Sequence, residues 1–154
     1  MLGREVRYAA LVSGKAEGLT ELNAFDGALL SAGIGDLNLV QVSSIMPSHV
    51  SLADSLAGAG LPKGDFVLVV YGVRTSSTPG ELIASAVGVG RAEDGFGVIM
   101  EAQGSSRSQV EEDVRRKVEE AFRARRLTLA AVQVAGVEHR VQQCGGVVAA
   151  YVFF

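Results

Sequence analysis

Phe66-Val67-Leu68-Val69-Val70-Tyr71 is an unbroken apolar run held between Asp65 and Gly72. A strand with one wet face alternates apolar and polar positions, so a run without alternation reads as a strand buried on both faces. The end of the chain, Gly145-Gly146-Val147-Val148-Ala149-Ala150-Tyr151-Val152-Phe153-Phe154, is a second such run. It is rich in strand formers and shorter than the roughly 20 residues of a spanning helix, so it also reads as a buried strand. With 154 residues and 48% hydrophobic content, residues 1–154 can bury a full core as one domain without disulfides or metals.

The remaining elements are mixed. Residues 6–12 predict a first strand, with 14–18 as its exit loop. A helix fits Glu21–Ser31, with Thr20 as N-cap. Leu22, Phe25, Leu29 and Leu30 make one apolar face at i, i+3, i+7 and i+8, and Asp26 falls inside it. Residues 82–89 fit a strand or a helix, and 96–101 a strand. Ser108 and Glu111 have capping-box spacing and open a helix that runs to about residue 125. Its inward stripe is Val110, Val114, Val118, Ala121 and Phe122. Glu111-Arg115, Glu112-Arg116 and Asp113-Lys117 are acid-before-base pairs, each contributing about 0.2–0.5 kcal/mol. Arg123, Arg125 and Arg126 read as a solvated helix end. Residues 127–137 and 141–153 complete the chain as two strands expected to be antiparallel neighbours, giving an α+β fold.

Several function classes are disfavoured. A net charge of −3 supplies no basic field for nucleic acid or an anionic membrane. Cys144 is the sole cysteine, which excludes an intrachain disulfide and fits a reducing cytoplasm. Charges at Arg4, Glu5 and Arg7 stand where a signal peptide needs its apolar stretch, so a soluble cytoplasmic protein is expected. His49, His139 and Cys144 lack metal-ligand spacing. Gly33-Ile34-Gly35 and Gly88-Val89-Gly90 lack the full phosphate-cradling fingerprint.

The chemistry-bearing feature is Ser43-Ser44, at the end of the strand-like run Asn38-Leu39-Val40-Gln41-Val42 and just before Pro47. Two small hydroxyl residues are poor core material. Upstream lies Leu22-Asn23-Ala24-Phe25-Asp26-Gly27-Ala28-Leu29-Leu30. Downstream come Leu61-Pro62-Lys63-Gly64, Tyr71-Gly72, Ser77-Thr78-Pro79-Gly80-Glu81, Gly97-Val98-Ile99-Met100-Glu101 and Val137-Glu138-His139. In this order, and over most of its length, the chain resembles the pyruvoyl-dependent arginine decarboxylases.

That resemblance implies a chain that cuts itself between Ser43 and Ser44, into a β chain 1–43 and an α chain 44–154. Ser44 Oγ attacks the Ser43 carbonyl, β-elimination releases Ser43, and hydrolysis with loss of ammonia leaves a pyruvoyl group at residue 44. The cofactor is this ketone, with no metal and no pyridoxal phosphate. The fold implied is a four-layer αββα sandwich. The assembly implied is a homotrimer or a dimer of trimers, with active sites between subunits. The implied reaction converts L-arginine to agmatine and carbon dioxide. Among site residues the resemblance implies Ser44 as cofactor source, Glu101 as general acid, Asn38 as oxyanion donor or orienter, and Asp26 and Ser43 as substrate contacts.

Read without the family, these residues keep alternatives. Asp26, on an apolar helix face, either bonds free donors around Gly27 and Gly33 or is a counter-charge whose two oxygens match a guanidinium fork. Glu101 ends an apolar run, where burial raises a carboxyl's pKa, or it is a solvated strand end. Asn38 is a site residue or opens a strand after the Gly35-Asp36 turn; a straight strand puts it roughly 20 Å from Ser44, so either the chain folds back between them or the two meet across a subunit boundary, which is favoured. His49 reads as an exposed loop residue, and Glu138-His139 as structural or interfacial. The rival functions are decarboxylation of histidine or aspartate, and an unprocessed, non-catalytic homologue.

Overall fold

The computed structural model describes residues 5–154. Its elements are β1 (Tyr8–Glu17), α1 (Glu21–Ser31), β2 (Asn38–Gln41), β3 (Ile45–Met46), β4 (Ser51–Leu52), β5 (Phe66–Ser76), β6 (Leu82–Arg91), β7 (Gly97–Gly104), α2 (Arg107–Ala124), β8 (Ala131–Arg140) and β9 (Gly145–Phe153). Met1 to Arg4, part of the stretch that argues against a signal peptide, lie outside the described residues. No helix among the described residues is long and apolar enough to cross a membrane.

The strands form a five-stranded sheet, β2-β5-β9-β1-β4, and a four-stranded sheet, β3-β7-β6-β8. β9 lies between β5 and β1 and is antiparallel to both. Its alternation explains why neither face could be polar. Val148, Ala150 and Val152 pack with Ala28, Ala32, Ile34, Val67 and Val69 under α1. Ala149, Tyr151 and Phe153 pack with Val70, Val87, Val89 and Ile99 between the sheets. α2 covers the outer face of the smaller sheet through Val110, Val114, Val118, Ala121 and Phe122, the stripe expected from sequence. The layers are therefore helix, sheet, sheet, helix, the αββα sandwich that the resemblance implies.

α1 has the bounds and the Thr20 cap read from the sequence, but it presents a different face. Ala24 and Ala28 are buried, while Leu22 is 74% and Leu30 54% exposed, and Asp26 is exposed beside them. The helix seats its small side chains where the sheet beneath presents glycine. A Cβ at Gly14 would lie 2.2 Å from the Ala28 carbonyl oxygen, and one at Gly146 would lie 2.8 Å from Ala24 backbone. Gly14 is thus a packing residue inside β1, which continues to Glu17 where an exit loop was expected. Gly14→Ala is expected to lower stability by about 1–3 kcal/mol, the scale of overpacking. A urea midpoint fall with unchanged slope checks it.

Three further expectations are corrected. α2 starts at Arg107, with Ser106 as N-cap accepting from the Gln109 N–H, so Ser108 and Glu111 form no capping box. Glu111 instead pairs with Arg107 at 2.9 Å, Asp113 with Arg116, and Lys117 donates to the Glu101 carbonyl at 2.8 Å. None of the three pairs drawn from i, i+4 spacing is a contact ion pair among the described residues; Glu111 and Asp113 take other partners. Finally, β8 and β9 are not sheet neighbours. β8 is exposed or half-buried along most of its length and takes an edge beside β6, whereas β9 is buried throughout and takes a central place in the other sheet.

Candidate active site

The chain changes sheets at Ser43-Ser44. β2 runs parallel to β5, and the Val42 N–H still donates to the Val69 carbonyl at 3.0 Å. Two residues later the Ser44 carbonyl accepts from the Ile99 N–H at 2.8 Å, and β3 runs antiparallel to β7. The peptide bond between the serines therefore bridges the two layers. Between those anchors the Ile45 N–H turns back onto the Ser43 carbonyl at 2.8 Å. Ser43 is exposed and Ser44 half-buried, and neither hydroxyl makes a hydrogen bond to a described residue. Beyond them Met46 is fully buried, and its sulfur accepts from the Tyr151 hydroxyl at 2.9 Å. Burial pushes that phenol's pKa up, against the opposing charge of Arg91, so it is kept as a donor. The segment after Ser44 is pinned in the core.

Glu101 lies two residues beyond Ile99 on β7, on the same face and about 7 Å further along the strand. Because the chain leaves the smaller sheet at Ser44, β3 does not extend alongside Glu101. Its half-buried side chain projects toward the other sheet at Gly72, where a Cβ would fall 3.3 Å from Glu101 Cβ and 2.8 Å from both Ser85 Oγ and Gln103 Nε2. Ser85 Oγ donates to the Gly72 carbonyl at 2.8 Å and fixes that approach. Lys117, from α2, holds the Glu101 carbonyl on the other side. The β3-β7 ladder thus brings Ser44 and Glu101 to one end of the gap between the sheets.

Asn38 and Asp26 are placed differently. The Asn38 amide nitrogen donates to the Gly64 carbonyl at 2.7 Å, and its backbone N–H to the Asp65 carbonyl at 2.8 Å, so within one chain it fixes the loop before β5. Asp26 is exposed on the outer face of α1 and makes no hydrogen bond or ion pair with a described residue. The expectation that it sits within a buried apolar face is wrong, for the helix buries its alanines instead. His49 is exposed. His139 Nε2 bonds Glu17 Oε2 at 2.8 Å, and the other Glu17 oxygen accepts from the Gln142 and Gln143 amides at 2.9 and 2.7 Å. Burial opposes ionisation of Glu17, but these bonds hold its pKa below the ordinary glutamate value. Glu138 accepts from the Arg107 N–H at the start of α2, at 2.9 Å. This pair is structural.

Gly72, Ser85 and Gln103 are the site's unforeseen members. Gly72 carried a visible signal, a glycine directly after the densest apolar run, but which side chains fill its space depends on how the two sheets stack. At the serine pair an unengaged hydroxyl stands next to a carbonyl that accepts an N–H outside either ladder. Among the described residues no group of three or more His, Cys, Asp or Glu is placed to hold a metal ion.

The pyruvoyl-dependent arginine decarboxylase family matches residues 8–154. The chain is 42% identical over 139 residues to a pyruvoyl-dependent arginine decarboxylase of Methanocaldococcus jannaschii, covering 88% of this chain and 82% of that protein. It is 40% identical over 151 residues to one of Pyrococcus abyssi, covering 96% and 95%. The corresponding protein of Methanothermobacter thermautotrophicus is 40% identical over 152 residues, covering 96% and 97%.

Proposed function

The chain belongs to the pyruvoyl-dependent arginine decarboxylase family, and from that premise we propose that it converts L-arginine to agmatine and carbon dioxide with a pyruvoyl group made from its own Ser44. The observation that carries the proposal is the unengaged Ser44 hydroxyl at the sheet crossing, inside a family match spanning residues 8–154. Residues 1–154 act as one decarboxylase domain, cut between 43 and 44 into chains 1–43 and 44–154.

In place at residue 44, the pyruvoyl group supplies a ketone that condenses with the substrate amine and takes up the electrons left when carbon dioxide departs. The protein does the rest. Glu101, which shares the end of the inter-sheet gap with Ser44, delivers a proton to the substrate α-carbon. Ser43, at the exposed side of the crossing, contacts substrate. Asp26 pairs with the guanidinium, whose planar fork a carboxylate matches with both oxygens.

Asp26 does this for a neighbouring copy. Leu19, 92% exposed, and Leu22 and Leu30 flank it on an outer surface too apolar to favour water, which supports a homotrimer or dimer of trimers with sites at the subunit boundaries. Asn38, held to Gly64 within its own chain, contributes to the cycle from across the same boundary. The lone Cys144, a free thiol, fits a cytoplasmic location.

Carbon dioxide release from single amino acids tests the assignment. Arginine is expected to outperform lysine, a point charge in place of a fork, and to exceed histidine and aspartate by far. Asp26→Asn should cost arginine turnover roughly 2–5 kcal/mol in kcat/KM, the scale for truncating one member of a buried charge pair. A wild type that prefers histidine or aspartate refutes the substrate; unchanged arginine kinetics in the variant refute the role of Asp26.

A further inference from the structure

We infer that the backbone N–H of Ile45 is the oxyanion donor for the cut, so that the turn centred on Ser44 primes its own peptide bond. The inference rests on the self-processing reading above. The contact from Ile45 N–H to Ser43 oxygen, at 2.8 Å, joins residues two apart and closes a γ-turn around Ser44. Arg126 is the only described non-glycine residue with positive φ, so Ser44 takes the common inverse form, without backbone strain.

Three features make this contact more than a passing turn. The Ser43 oxygen is the atom on which charge develops when its carbonyl is attacked. The N–H is not needed elsewhere, since β3 is an edge strand joined to β7 through the Ser44 carbonyl and the Ile99 N–H. Both flanks are fixed, Val42 by Val69 and Met46 by Tyr151, so the donor needs no reorganisation as the reaction proceeds.

The step balances within the two serines. A lone pair on Ser44 Oγ forms a bond to the Ser43 carbonyl carbon, and the carbonyl π pair moves onto the Ser43 oxygen, where the Ile45 N–H receives it. The pair then returns as the bond from that carbon to the Ser44 nitrogen breaks. The nitrogen keeps the bonding electrons and gains the proton lost by the hydroxyl. The product is an ester with the same atoms. Within one chain Asn38 is bonded to Gly64.

Ile45→Pro removes the N–H at an edge position that can accept proline, while Ile45→Ala keeps it. Full-length chains are followed by intact mass for the appearance of fragments 1–43 and 44–154, with and without hydroxylamine, which traps the ester as a Ser43 hydroxamate. Ile45→Ala should process within a few-fold of wild type. Ile45→Pro should process 10²–10³-fold more slowly and yield hydroxamate equally slowly, the usual loss for one oxyanion donor. Where the proline variant does not fold by circular dichroism, a chain carrying an ester in place of the 44–45 amide removes the same hydrogen atom with little change of shape, and mass separates its cleavage at 43–44 from hydrolysis at 44–45. A folded variant without the N–H that forms hydroxamate at the wild-type rate overturns the inference. A wild type that never cleaves overturns the processing reading instead, and the inference with it.

Discussion

Ser44→Ala should run as one full-length chain on a denaturing gel and release no carbon dioxide from arginine above the buffer rate. The substitution deletes one oxygen and leaves every backbone anchor of the crossing intact: Val42 to Val69 at 3.0 Å, Ser44 to Ile99 at 2.8 Å and Ile45 to Ser43 at 2.8 Å. Ser44 is half-buried and its hydroxyl bonds no described residue, so the fold loses little. The reaction loses everything, since the only oxygen that closes a five-membered ring onto the Ser43 carbonyl is gone and no ketone can form at that position. Intact mass on fresh and aged protein is the check. An alanine variant that still yields two fragments would mean that an external protease makes the cut.

Glu101→Gln should separate making the cofactor from using it. The glutamine is nearly isosteric and keeps the space against Gly72, so cleavage should proceed as in wild type. The amide cannot deliver a proton to the substrate α-carbon, and kcat should fall by on the order of 10²–10⁴. Fragment masses and steady-state carbon dioxide release on the same preparation read both quantities. Near-normal turnover in fully cleaved Glu101→Gln would remove this residue from the mechanism.

What could be read from the chain alone followed how local each cause is. α1 was legible to the residue because Thr20 caps it and the turn at Gly33 ends it, both short-range effects. The start of α2 was not, because Ser106 and Ser108 are equally good hydroxyl caps and the choice falls with Glu138, 31 residues away, which receives the Arg107 N–H. Gly14 was mistaken for loop because the reason for its missing side chain is Ala28 of α1. Asp26 was assigned to a buried face because hydrophobicity was taken as the measure of burial. A helix laid on a glycine-lined sheet buries alanine and leaves leucine outside. Ser43-Ser44 and Glu101 stand out in the sequence, yet their approach depends on β3 pairing with β7 across a strand of two residues, a signal too short for any periodicity.

The proposed cut at residues 43–44 would also set the reaction order of folding. Fragment 1–43 carries β1, α1 and β2, and β1 is threaded between β9 and β4 while β2 caps the far side of β5. Before the cut, the chain reaches this weave as one molecule. On the proposed processing it would afterwards be a complex of two chains, held by the nine-residue ladder to β9, the pairing of β1 with β4, the pairing of β2 with β5 and the packing of α1. Once such a two-chain form is denatured, its parts would have to find each other by diffusion, so recovery would slow with dilution and reassembly would be bimolecular where the uncut chain's is unimolecular. The proposed cleavage would thus work as a ratchet, because the cut would make return from the unfolded state dependent on concentration.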